Sequence, residues 1–184
     1  MGRTMKNDDL EKYCTRINEE DLTQVKQIDP GTVVTAPWVR LKCQFGCPGY
    51  DRSYSCPPHT PTPEQTRVII DSYHRAILFR FEAPYSENRG KRLRKSYEML
   101  TTLEGDLFKD GYYKAFLFLS GPCSLCKECA RLKDEPCTLR DKARPAMEAC
   151  GIDVYQTARN NGFPIETLRE KTDTQNHYCL MLVD

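Results

Sequence analysis

The sequence predicts a single α/β domain. About four strands form a mainly parallel or mixed sheet with flanking helices, and two cysteine-rich metal loops sit at its rim. Three observations predict it. Apolar, strand-like runs at 32–43, 75–82, 112–120 and 177–184 alternate with helical patterns. Strands joined by helical crossovers ordinarily run parallel. Two tight cysteine groups follow the first and third of these runs, at the strand ends where open α/β sheets place their ligand sites.

Residues 1–30 are polar and charged, and read as a peripheral lead-in with one short helix. The segment TVVTAPWVRLKC, Thr32 to Cys43, has strand character, with Pro37 breaking it or placing it at an edge. A loop rich in glycine and proline follows. Thr62-Pro63-Glu64-Gln65 then opens a helix to about Tyr73, with Thr62 as cap, Pro63 in the first helical position and Gln65 completing a capping box. RAILFRFE, from Arg75, is the next strand. Residues 88–109 carry a long amphipathic helix, with Leu93, Tyr97, Leu100 and Leu107 near one face and Gly111 as its stop. YYKAFLFLS, from Tyr112, is the strongest strand. Pro145 opens a short helix ending at Cys150-Gly151, Asp153 caps another that stops before Gly162, and HYCLMLVD closes the fold as a buried strand. The order is β-α-β-α-β-α-α-β.

A chain of 184 residues is long enough for one domain with a real core. No apolar run approaches the ~18 residues of a membrane span, and MGRTMKNDDLEKYC has no stretch of signal-peptide type. Net charge is +1, from 27 basic and 26 acidic residues, which gives no electrostatic case for nucleic acid. Ten cysteines without an export signal point to a reducing, cytoplasmic setting, where clustered thiols are metal ligands more often than disulfides.

The second group, Cys123, Cys126, Cys129 and Cys137, reads C-x2-C-x2-C-x7-C. Three ligands spaced by two suit a cubane iron–sulfur cluster, whereas a zinc site more commonly takes two separated pairs. The seven-residue gap and the proline before Cys137 set this loop apart from the ferredoxins. Soft thiolates fit iron–sulfur or zinc and exclude magnesium and calcium. The first group, Cys43, Cys47 and Cys56, offers three thiolates; its fourth ligand is Cys150, Cys14, Cys179 or absent. A cluster held by three cysteines leaves one iron open to a substrate, whereas four-cysteine clusters mainly carry electrons.

Among other residues, His59 reads as a turn histidine, His74 as a helix-end cation and His177 as a surface residue. Tyr50, Arg52 and Tyr54 read as shields of the first loop. The basic run Arg89, Lys91, Arg92, Arg94 and Lys95 reads as a solvated face, with docking of an acidic electron-transfer partner as its functional alternative. No phosphate-binding glycine motif occurs.

The stretches WVRLKCQFGCPGYDRSYSCPPHTPTPEQTR and CSLCKECARLKDEPCTLRDKARPAMEACGIDV resemble a family of small, largely uncharacterised, cysteine-rich predicted metal-binding proteins of anaerobic bacteria and archaea. The resemblance spans about residues 33–184. It implies metal binding through Cys43, Cys47, Cys56, Cys123, Cys126, Cys129, Cys137 and Cys150, and it implies no particular reaction. Cys14 and Cys179 fall outside the pattern.

The sequence therefore points to an iron–sulfur protein with one or two [4Fe–4S] clusters, most simply passing electrons to a partner redox enzyme. Two alternatives stand beside it. One is an enzyme using an open-site cluster on a small, possibly sulfur-containing, substrate. The other is an interaction module that zinc stabilises.

Overall fold

A computed structural model describes residues 9–18 and 23–184. The first eight residues, read as free of a signal-type stretch, lie outside the described residues.

Two consecutive segments fall inside the supposed lead-in. Helix α1 spans Glu11–Asn18 and strand β1 spans Thr23–Ile28. Leu10, Tyr13 and Ile17 are buried against the sheet, so this part of the chain belongs to the core. The run from Thr32 to Cys43 is not a strand. Pro30–Thr32 is a 3-10 turn, Thr35 makes an isolated bridge with Ile152, and helix α2 spans Pro37–Gly46. Pro37 occupies the first turn, where its missing N–H costs nothing and its fixed φ favours the helix. Only Val39 of α2 is buried, so an apolar run that reads as a half-buried strand is mostly an exposed helix.

Helix α3, Pro63–Ile70, begins as its residues dictate. The Thr62 hydroxyl accepts from the Gln65 N–H, and the Gln65 side chain accepts from the Thr62 N–H. Strand β2 is Ala76–Ala83, α4 is Arg89–Lys109, β3 is Phe116–Phe118, α5 is Val154–Asn160 and β4 is Gln175–Leu182. The Asp153 side chain caps α5 through the Gln156 N–H, 2.9 Å away. Short 3-10 turns at Ala130–Lys133 and Glu148–Cys150 complete the described elements.

The four strands form one sheet in the order β1-β2-β4-β3, and every neighbouring pair is antiparallel. This corrects the expected parallel or mixed sheet. β2 and β3 both run opposite to β4, so the crossover through α4 returns the chain in the same direction, but β4 lies between them. Strand β2 is apolar on both faces, a pattern typical of buried parallel strands. Here it arises because both faces of an antiparallel sheet are covered. Ile77, Phe79 and Phe81 pack with Leu100, Leu103 and Leu107 of α4, while Ala76 and Leu78 pack with Ile70, Met147, Val154 and Ala158.

The chain leaving the second cysteine loop is pinned by a buried ion pair. Glu104 of α4 is only 5% exposed. Its carboxylate accepts from the Leu117 N–H at 3.0 Å and from Arg144 Nε at 2.9 and 2.8 Å. One side chain thus joins α4, β3 and the exit of the loop. Arg144→Leu leaves that carboxylate buried and half-satisfied. It is expected to cost about 3–5 kcal/mol, read as a fall in the urea midpoint. The double variant with Glu104→Gln recovers part of the loss, because no charge is then stranded.

Candidate metal centre

The first cysteine group is built by the end of α2 and the turns after it. Cys43 lies in the last turn, and the Cys47 N–H donates to the Cys43 carbonyl at 3.3 Å. Turn bonds then fold the loop back: Tyr50 N–H to Cys47 O at 3.2 Å, Cys56 N–H to Ser53 O at 3.0 Å and Asp51 N–H to Pro57 O at 2.8 Å. Beside it runs the segment 148–151. Arg40 Nη1 donates to the carbonyls of Ala149 and Pro61, both at 2.8 Å, and the buried Thr66 hydroxyl donates to the Cys150 carbonyl at 2.7 Å. Gly151 closes this segment at φ +76°, and a Cβ there would lie 2.4 Å from Pro63 Cγ and 3.0 Å from Pro63 Cα. The Cys43 sulfur reaches the Glu148 carbonyl at 3.9 Å.

The second group leaves the end of β3. Leu119 bridges Ala146 in parallel, with Leu119 N–H to Pro145 O and Met147 N–H to Leu119 O both at 2.8 Å. This bridge lays the segment bearing Glu148 alongside Ser120-Gly121, where the loop carrying Cys123, Cys126, Cys129 and Cys137 begins. The two loops are also latched to each other. Arg131 donates from Nη2 to Asp51 at 2.8 Å and from Nε to His59 Nε2 at 2.7 Å, and the Tyr54 hydroxyl donates to the Glu135 carbonyl at 2.8 Å. His59 therefore does more than turn the chain, since it receives a second-loop arginine.

Two adjoining clefts result. The first, of about 550 Å³, has Cys43, Cys47 and Cys56 in its wall, with Trp38, Tyr50, Glu148 and His177. The second, of about 540 Å³, is lined by Cys56, Cys123, Cys126, Cys129 and Cys137, with Ser53 and Ser55. Gly49, Cys56 and Pro122 line both, so the clefts share a wall. The sequence assigned Cys56 to the first group, but the residue lines both clefts and cysteines of both groups act on its thiol. None of the ten cysteines is in a disulfide. Among the described residues, no three His, Cys, Asp or Glu side chains meet closely enough to hold a metal ion. The thiols line cavities rather than converge on a point.

The environment sorts these thiols. Burial, then the neighbouring Cys47, Cys43, Cys123 and Cys129, pushes the Cys56 thiol up to about 11. Burial also raises Cys43 and Cys123; at Cys123 the Leu125 N–H and the Ser55 hydroxyl oppose it. Cys129 goes the other way. Burial alone raises it, but N–H groups of Arg131 and Tyr54, the Ser53 hydroxyl and the Arg131 charge together bring it below the ordinary thiol value. A lowered value means more thiolate at neutral pH. In reduced, metal-free protein, iodoacetamide is therefore expected to label Cys129 ahead of Cys56, and peptide mapping at short times reads the order. Labelling of Cys56 first would contradict it.

Cys150 lines neither cleft, though its thiol lies near enough to Cys43 and Arg40 for their charges to act on it. It is fully buried among Met147, Ile152 and Ile70, and burial pushes its thiol up to about 12. Cys179 is likewise buried, within β4, and Cys14 is half-buried against the α1–α4 side of the core. His177 is not the surface residue its sequence suggests: its Nδ1 lies 3.0 Å from the Ser120 hydroxyl, and burial followed by the Arg89 charge lowers its pKa. Sequence reasoning also missed Glu148. Its carboxyl is raised by burial, against N–H bonds from its own residue and Gly121, and one oxygen is buried without a hydrogen-bond partner. The available signal was one acidic residue in the apolar run AMEACGI.

No helix among the described residues is long and apolar enough to cross a membrane. No curated protein and no solved structure matches the chain. A family model described as predicted metal-binding protein (DUF2284) matches residues 26–183, and the chain belongs to that family.

Proposed function

We propose that this chain is an iron–sulfur protein that carries electrons to a partner redox enzyme, with a thiolate-bound centre in each of the two adjoining clefts. The observation that carries the reading is the second cleft. Four cysteines of one loop line it, joined by Cys56 of the other, and backbone N–H and serine hydroxyl donors already point at the Cys123 and Cys129 sulfurs. The donor set fits such a group, since sulfur is the ligand that iron–sulfur centres take. A mononuclear zinc site needs four ligands at about 2.0–2.3 Å from one point. Thiols arrayed around a cavity of several hundred Å³ suit a larger, polynuclear group better. Zinc remains the competing metal.

When bound, such a centre supplies a one-electron carrier. The protein's own part is to hold the thiols, to donate hydrogen bonds to sulfur and so set the potential, and to keep the two loops in one body through Arg131. The shared wall of Gly49, Cys56 and Pro122 keeps the two clefts one side chain apart. Leu41 and Phe45, exposed on α2 beside the exposed Cys47, supply an apolar face for the partner protein.

Dithionite added to anaerobically purified protein tests the proposal. It should bleach a broad visible absorbance, and a one-electron acceptor dye should restore it. Protein with no visible band, or with a band that dithionite leaves unchanged, contradicts it.

A further inference from the structure

The basic run that opens α4 goes against its position. Negative groups favour the first turn of a helix, because the unpaired N–H groups there carry partial positive charge. The first turn of α4 has no acidic residue, and the Asn88 side chain makes no cap bond. Arg89, Lys91 and Arg92 stand there instead. Arg89 and Arg92, one turn apart, repel each other.

A cavity of about 110 Å³ opens beside this turn, between α4 and the end of β2. Arg89, Arg92 and Lys95 line it, with Phe81 and Met99 as apolar walls. One carboxylate, Glu82, also lines it, but that group accepts from Arg80 at 3.1 Å. Arg89 is half-buried, and its Nη1 is buried without a hydrogen-bond partner. Its guanidinium lies 5.2 Å from the centre of the Tyr85 ring, and no carboxylate among the described residues pairs with it. A buried charged donor that lacks an acceptor is destabilising. The cavity is well below the ~300 Å³ at which sites for organic ligands begin, so it suits one compact ion.

We infer that this cavity binds a single tetrahedral oxyanion of the phosphate class. The ion's oxygens accept from the Arg89 and Arg92 guanidiniums, whose planar forks match a pair of such oxygens, and Lys95 adds charge. The bound ion offsets the repulsion between Arg89 and Arg92 and supplies the negative charge that the first turn of α4 lacks. No cysteine lines this cavity, so the inference stands apart from the reading of the metal centres.

The test is calorimetric titration of inorganic phosphate into the full-length, anaerobically purified protein, in chloride buffer at constant ionic strength. Expected is one saturable site per chain, with a urea midpoint that rises as phosphate is added. Arg89→Gln and Arg92→Gln should each weaken binding at least about tenfold. Arg92 is exposed, so its variant reads the loss even where Arg89→Gln does not fold. Lys171→Gln removes the same charge from an exposed residue that does not line the cavity, and should change the affinity less than about twofold. Acetate, with two oxygens and one charge, should bind at least about tenfold more weakly than phosphate. Methyl phosphate separates two sources of the group. Weaker binding than inorganic phosphate supports a site for the free ion, and equal or tighter binding supports one for the terminal phosphate of a larger molecule. No saturable binding, acetate bound as tightly as phosphate, or equal losses in Arg92→Gln and Lys171→Gln would overturn the inference. The iron content of the protein bears on none of these outcomes.

Discussion

Cys56→Ala is expected to remove more metal than any other single cysteine substitution. Cys56 is the thiol in the wall common to both clefts, and its pKa is raised by cysteines of both groups. Cys47 lines only the first cleft and Cys137 only the second. Iron per chain after anaerobic purification should therefore fall part-way in Cys47→Ala and in Cys137→Ala, and fall furthest in Cys56→Ala. The apparent affinity should drop by at least about tenfold, the scale on which even outer partners of a metal site act. The buried thiol also fixes the sign of a pH effect. In metal-free protein the raised Cys56 value favours the protonated form, so its contribution to stability is present below the ordinary thiol range. That contribution is lost as pH rises through about 11. Metal binding must expel that proton, so loading strengthens as pH rises. Equal iron loss in Cys56→Ala and Cys47→Ala would contradict a shared wall.

Gly151→Ala is the second large effect. The residue sits at φ +76°, and the added methyl would meet Pro63 at 2.4 Å from Cγ and 3.0 Å from the Cα. Pro63 is the first residue of α3, and its ring has no flexible end to move aside. The backbone must therefore shift, and α3 with it. Two costs add: the left-handed conformation that alanine adopts poorly, and overpacking of about 1–3 kcal/mol. The shift reaches the site directly. The Gly151 carbonyl accepts from the Ala36 N–H at 2.9 Å at the start of α2, and the neighbouring Cys150 and Ala149 carbonyls are held by Thr66 and Arg40. Lower stability in urea together with lower iron content is the expected pair. Wild-type values of both would show that the segment has slack that its contacts do not suggest.

The chain declares its local signals well and its long-range ones poorly. The capping box at Thr62, the cap at Asp153 and the stop at Gly111, at φ +100°, are chemistry within a few residues, and each was legible. α2 was misread because Val33, Val34, Trp38, Val39 and Leu41 favour a strand on composition, while Pro37 favours a helix only if the chain is already turning. Position outweighed propensity there. β1, TQVKQI, was invisible because an edge strand carries too few apolar residues to stand out from its polar lead-in. Strand direction was lost because β4 enters between β2 and β3 from the far end of the chain. The cysteine groups themselves were plain. Their sharing of Cys56, the hold of Arg131 on Asp51 across 80 residues and the burial of Cys150 were not, since these depend on which distant segments meet.

Counting iron and acid-labile sulfide in protein purified without oxygen tests the central claim most directly. The account predicts a brown protein with iron and sulfide in equal amounts, about eight of each per chain, four for each cleft. Colourless protein, with its thiols carrying zinc or joined as disulfides and no sulfide present, would contradict it.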